Sequence, residues 1–167
     1  MAVTVLPLDL ERWDEARRDA LVLPVFEDDR PLRGAAGLAD WRLCGRLSHL
    51  VRSDRATAAS GETLLLPPGP RLQFRRILWF GLGDAKGYTD DRFRSDIRWI
   101  IDVLQRADVT EWAIQLPGRA SGLLGARRAI ELLLEAGTSL NDHAITLLED
   151  PAGQKDIAEL LRSTAAR

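Results

Sequence analysis

Several short apolar runs in this chain do not alternate with polar residues, and they restrict its fold more than any other feature. Leu21-Val22-Leu23 and Ile77-Leu78-Trp79-Phe80 are the clearest. A strand with one wet face alternates, whereas a continuous run needs cover on both faces, as central strands of a layered sheet have. Residues 3–8, 20–26, 63–66, 77–82, 112–116 and 144–148 are expected to be strands of this kind or their neighbours.

Helical spacing fills the intervals between them. Phe93, Ile97, Ile100, Ile101 and Leu104 fall on one stripe of a helix over 92–107. Leu123, Ala126, Ile130, Leu133 and Leu134 do the same over 122–136, with Gly137 as its stop. Leu43, Leu47, Leu50 and Val51 mark one earlier helix from about Leu38. Ile157, Leu160 and Leu161 mark a last one, opened by Asp150-Pro151. The stretch 11–18 is a further short helix. Pro67-Pro68-Gly69-Pro70 is a rigid turn between two neighbouring strands, and 28–37 and 53–61 are the flexible connections. The alternation predicts a three-layer α/β fold, a mixed and mostly parallel sheet of about six strands flanked by helices, over one domain, 1–167.

Composition narrows the function classes. The chain has 167 residues, 46% hydrophobic and 29% charged, enough to bury a core without disulfides. Its 23 basic and 25 acidic residues give a net charge of −2 and are closely interleaved, so no broad positive field exists to hold nucleic acid. The single cysteine, Cys44, excludes an internal disulfide; beside Leu43 and Leu47 it reads as a small buried hydrophobe. Neither a signal peptide nor a run of membrane-spanning length is present, and a cytoplasmic location is expected.

No catalytic centre can be assembled from these residues. His49 and His143 are far apart, and Asp142-His143 reads as a turn pair at a strand edge, so no metal and no cofactor are expected. Asp28-Asp29 and Asp90-Asp91 lie in loops. Gly81-Leu82-Gly83 lacks the further glycine of a dinucleotide loop, because position 86 is Lys86, and it reads as the turn where a strand leaves the sheet. The segment Arg119-Ala120-Ser121-Gly122-Leu123-Leu124-Gly125 follows a strand and leads into a helix. Small residues there could turn backbone N–H groups toward an anion, with Arg119, Arg127 and Arg128 adding charge; the competing reading is tight packing with the arginines in solvent. Of the five tryptophans, Trp79 and Trp112 belong to core strands, while Trp99 with Trp13 or Trp41 is placed for a protein interface.

Three stretches together resemble one family. Arg18-Asp19-Ala20-Leu21-Val22-Leu23-Pro24-Val25-Phe26-Glu27-Asp28, Gly61-Glu62-Thr63-Leu64-Leu65-Leu66 and Arg76-Ile77-Leu78-Trp79-Phe80-Gly81-Leu82-Gly83-Asp84 are similar, in order and spacing, to strands of the N-terminal domain of the leucyl aminopeptidases, the M17 or cytosol aminopeptidase family. The resemblance implies a macro-domain-like fold. It also implies that metal ligands and catalytic groups belong to a separate C-terminal domain, whose Asn-Thr-Asp-Ala-Glu-Gly-Arg signature does not occur here. A non-catalytic interaction, assembly or regulatory module is therefore expected, with a protein partner or self-association. The alternative implied by the fold is a pocket for ADP-ribose or another nucleotide or anion, built from Asp19, Arg119, Ser121, Gly122 and Gly125. Against it, Val25-Phe26-Glu27-Asp28-Asp29 stands where macro domains carry an asparagine-rich loop, and its acids would repel a diphosphate.

Overall fold

The computed structural model describes residues 1–16 and 18–165; Arg17, inside the expected helix 11–18, lies outside them, as do the last two residues of the expected domain. The elements are β1 (Ala2–Pro7), α1 (Leu10–Ala16), β2 (Ala20–Val25), α2 (Gly34–Arg42), α3 (Arg46–Arg52), β3 (Thr63–Leu66), β4 (Arg76–Gly81), α4 (Asp90–Arg106), β5 (Glu111–Ile114), α5 (Ala126–Leu134), a 3-10 turn at Gly137–Leu140, β6 (Ala144–Glu149) and α6 (Pro151–Ala165). The strands order β1-β6-β5-β2-β4-β3 in one sheet, parallel except for β3, which runs antiparallel to β4.

The continuous runs are explained by cover on both faces. Along β2, Ala20 and Val22 point into one core with Leu78, Phe80, Trp112 and the buried stripes of α4 and α5; Leu21, Leu23 and Val25 point into the other, with Trp13, Ile77, Trp79 and Leu47. β2 sits between β5 and β4, so it has no edge to water. The 67–70 turn joins β3 to β4 as a neighbouring antiparallel pair, with Leu64 opposite Trp79.

Several expectations change. The single helix from about Leu38 is two helices, α2 and α3: Cys44 and Gly45 take φ of +56° and +79°, a left-handed bend no helix continues through. Cys44 is consequently exposed rather than buried, and α2 starts inside the stretch read as a connection. The helix expected from 122 begins at Ala126, leaving Leu123 in the preceding loop, 45% exposed. Gly137 starts the 3-10 turn instead of ending the chain's helical path. Trp13, expected as a candidate interface residue, is 1% exposed, and its indole donates to the Pro7 carbonyl at 3.0 Å.

Candidate functional site

In open α/β sheets the natural crevice lies beyond the carboxyl ends of the strands, where consecutive connections leave in opposite directions. Here that point falls between β2 and β5: the chain leaving β2 enters α2 on one face, and the chain leaving β5 enters α5 on the other. Leu23, Pro24 and Phe26 supply one wall, Asp29, Arg33 and Ala35 a second, and Gln115 to Gly118 with Ala120 and Ser121 the third.

The molecule closes this crevice with its own groups. The side-chain oxygen of Gln115 accepts the Ala35 N–H at 2.8 Å, so the first turn of α2 is latched to the loop after β5. Gly34 permits the approach: it takes φ of +53°, and a Cβ there would stand 2.0 Å from Gln115 Oε1 and 2.8 Å from Ala120 Cβ. Phe26 packs edge-on against Tyr88 with ring centroids 4.9 Å apart, bracing the rim. The free space left is about 20 Å³, room for one water molecule and not for a nucleotide.

Arg119, expected to face an anion, is turned inward. Its guanidinium donates to both oxygens of Glu149 at 2.7 and 2.9 Å and to the Leu124 carbonyl at 2.7 Å. Glu149 is 1% exposed, so this is a buried bidentate pair joining the β5–α5 loop to the end of β6. Gly153 of α6 makes room for it, since a Cβ there would meet Glu149 Oε2 at 2.4 Å. Arg128, also a candidate, is engaged by Asp90 at 2.7 Å, and Arg127 by Glu131 at 3.5 Å.

The remaining site residues are scattered. Ser121 lines the crevice, and its buried hydroxyl has no hydrogen-bond partner among the described residues. Gly122 and Gly125 are exposed with open space around them, Gly125 preceding α5 as an N-cap without a side-chain bond. Asp19 does not join them. It precedes the first residue of β2, so the length of that strand, roughly 20 Å at ~3.3 Å per residue, separates it from the loop. There it accepts from Arg76 at 2.9 Å, on the rim of a broad polar depression of about 630 Å³ with Arg18, Arg75 and Glu111. The structure therefore brings Ser121 to the crevice, turns Arg119 onto Glu149 and places Asp19 at the opposite end of the sheet.

Sequence reasoning missed the group that shuts the crevice, Gln115, and the one that draws Arg119 inward, Glu149. Gln115 and Glu149 were hidden inside runs counted as strand or strand end; a polar residue closing an otherwise apolar strand was the available signal. Asp29 is a further polar wall. Burial pushes its carboxyl above the usual range, against the Phe26 N–H it accepts at 3.0 Å and Arg33 at 4.0 Å. Tyr88 and Asp96 form a half-buried pair beside Phe26, at 2.9 Å; desolvation raises both pKa values. Among the described residues no three His, Cys, Asp or Glu side chains are placed to hold a metal ion.

The strand order and the two helical layers define a macrodomain-like α/β fold, and solved structures agree. The chain superposes on the macrodomain of Mycobacterium tuberculosis DarG with a TM-score of 0.68 at 18% identity, covering 87% of this chain and 96% of that one. A Trypanosoma brucei macrodomain solved in complex with ADP gives 0.69 at 16% identity, covering 96% and 69%. A mutant tomato leucine aminopeptidase gives 0.65 at 16% identity, covering 95% of this chain but 35% of the enzyme. Residues 22–141 match the family model described as cytosol aminopeptidase family, N-terminal domain, and the chain belongs to that family. A probable cytosol aminopeptidase of Halorhodospira halophila is 30% identical over 113 residues, 67% of this chain and 23% of the relative. One from Glaesserella parasuis is 29% identical over 133 residues, 77% and 26%. The chain thus spans about a quarter of the curated relatives it matches.

Proposed function

We propose that this chain is a non-catalytic interaction, assembly or regulatory module, the N-terminal-domain part of a cytosol aminopeptidase system, working in the cytoplasm through self-association or contact with a protein partner. The observation that supports it best is the closed crevice: the position where the fold would hold a small ligand is latched shut by Gln115 and the Ala35 N–H, and the nearby Arg119 is engaged by Glu149. An exposed Trp41, 73% accessible at the end of α2, supports a contact surface elsewhere. No helix among the described residues is long and apolar enough to cross a membrane. Light scattering on the eluting protein, with and without a cytosol aminopeptidase catalytic domain, tests the reading. A mass above 18.6 kDa, or co-elution, is expected. A monomer that ignores the catalytic domain contradicts it.

A second reading, a nucleotide or anion pocket, draws on the unpartnered Ser121 hydroxyl and the ADP complex of the Trypanosoma brucei structure. It requires the Gln115 latch to open. Saturable thermal stabilisation of the chain by ADP-ribose would carry it.

A further inference from the structure

The arginines of this molecule are divided unevenly. On the α4–α5 side four of six have carboxylate partners: Arg94 with Asp91 and Glu135, Arg106 with Asp102, Arg127 with Glu131 and Arg128 with Asp90 and Glu131, leaving Arg92 on backbone carbonyls and Arg98 without one among the described residues. Residues 41–75 instead carry six arginines against two carboxylates. One of the two, Glu62, is spent internally on the Thr57 and Ala58 N–H groups and the Trp79 indole. Arg46, Arg52, Arg55 and Arg71 have no carboxylate partner among the described residues.

These charges border a cleft. The α2–α3 bend and the 67–71 turn enclose about 350 Å³, with Leu43, Pro68 and Pro70 as apolar walls and Arg46 and Arg71 at the mouth. Arg42 is fixed in the wall by Asp14 at 2.9 Å and the Arg71 carbonyl at 2.7 Å. Among the described residues the side chain of Arg71 has only the Cys44 sulfur, 3.4 Å away, as a partner. The basic strip continues along α3, where Arg46, His49 and Arg52 recur at three-residue spacing on its exposed face. Trp41 precedes Arg42 at the end of α2.

We propose that this cleft docks an acidic segment of a partner protein that carries aliphatic side chains. Carboxylates of such a segment would meet Arg46 and Arg71, and an aliphatic side chain would lie against Leu43 and the prolines. The proposal rests on the interaction-module reading and names the surface and the partner's chemistry. Nucleic acid is disfavoured because the walls are aliphatic and prolyl, not the aromatic platforms that hold bases, and the whole chain is net acidic.

The test uses the full chain and a fluorescein-labelled peptide repeating Asp-Glu-Leu, with a Lys-Lys-Leu peptide and single-stranded DNA of similar length beside it. Saturable anisotropy with the acidic peptide alone is expected, weakening as salt rises, with a blue shift in tryptophan emission that Trp41→Phe abolishes. Arg46→Glu with Arg71→Glu should weaken binding by about tenfold or more. Arg46→Ala alone, which removes no bonded partner, should weaken it less, and Arg98→Glu on α4 should leave it unchanged. Absence of saturable binding, equal loss from Arg98→Glu, or tighter binding of the DNA overturns the proposal. If the chain self-associates or binds a peptidase domain yet ignores the acidic peptide, the interaction reading stands and this surface assignment falls.

Discussion

The two faces of the sheet are built differently. One is covered by α4, α5 and α6, of which α4 and α6 run 17 and 15 residues; Phe93, Ile97, Ile100 and Leu104 of α4 are each 1% exposed or less. Most arginines of α4 and α5 pair with carboxylates there. The other is covered by α1, α2 and α3, of seven to nine residues, which approach the sheet through small side chains such as Ala35 and Ala39. Cys44, Asp54 and Ala58 there take positive φ although none is glycine, and Arg46, Arg52, Arg55 and Arg71 have no carboxylate partner among the described residues. Long amphipathic helices whose arginines mostly meet carboxylates on the same surface are largely self-sufficient. Short helices joined by strained bends, with an exposed tryptophan and unspent charge, offer a surface to something else.

Substitutions should expose that asymmetry, starting with the packed face. Phe93→Ala removes a fully buried ring and should cost about 3–5 kcal/mol in denaturant unfolding. Arg119→Ala leaves Glu149 buried without its partner and should cost a similar ~3–5 kcal/mol. A loss below 1 kcal/mol for either would mean the α4–α6 side is not where stability resides. Gly34→Ala should cost about 1–3 kcal/mol, from the positive φ and the collision with Gln115. Because Gly34 and Gln115 share one contact, the double change with Gln115→Ala should cost less than the sum. On the exposed basic face, Arg46→Glu should alter stability by no more than about 0.5 kcal/mol.

Acid should act through His143. Its Nδ1 accepts the Trp112 indole N–H at 2.9 Å, and burial holds its pKa below the ordinary value. The unfolded chain then binds the proton first, so this contribution is complete above pH about 6.5 and is lost as pH falls below it. Chemical denaturation between pH 7 and 5 should show the decline, and His143→Gln should flatten it. An unchanged slope in that variant would place the acid sensitivity elsewhere.

Much of the fold was legible before any coordinates. The runs around Leu21-Val22-Leu23 and Ile77–Phe80 announced two-sided burial because no alternation survives when both faces are covered, and the stripe of α4 was plain because one wet face remained. The α2–α3 break was not legible: Leu43, Leu47 and Leu50 keep helical spacing across a bend made by Cys44 in a conformation its residue type does not advertise. The site was half legible. Glycine-rich composition marked the β5–α5 loop, and its Ser121 does line the crevice. Whether Arg119 faced out or in depended on Glu149, thirty positions later, with which it pairs only through the β5–β6 register. Asp19 failed for the same reason: its strand was identified, but the end of the sheet at which it stands is a property of the fold.

The closed crevice carries the account, and amide chemical shifts read it residue by residue. With the backbone assigned and ADP-ribose added to millimolar concentration, the amides of Leu23, Phe26, Ala35, Gln115 and Ser121 are predicted to stay where they are. Saturating shifts confined to those residues would show that the Gln115 latch opens to a nucleotide, and would contradict the reading of this chain as a module that works through its surface.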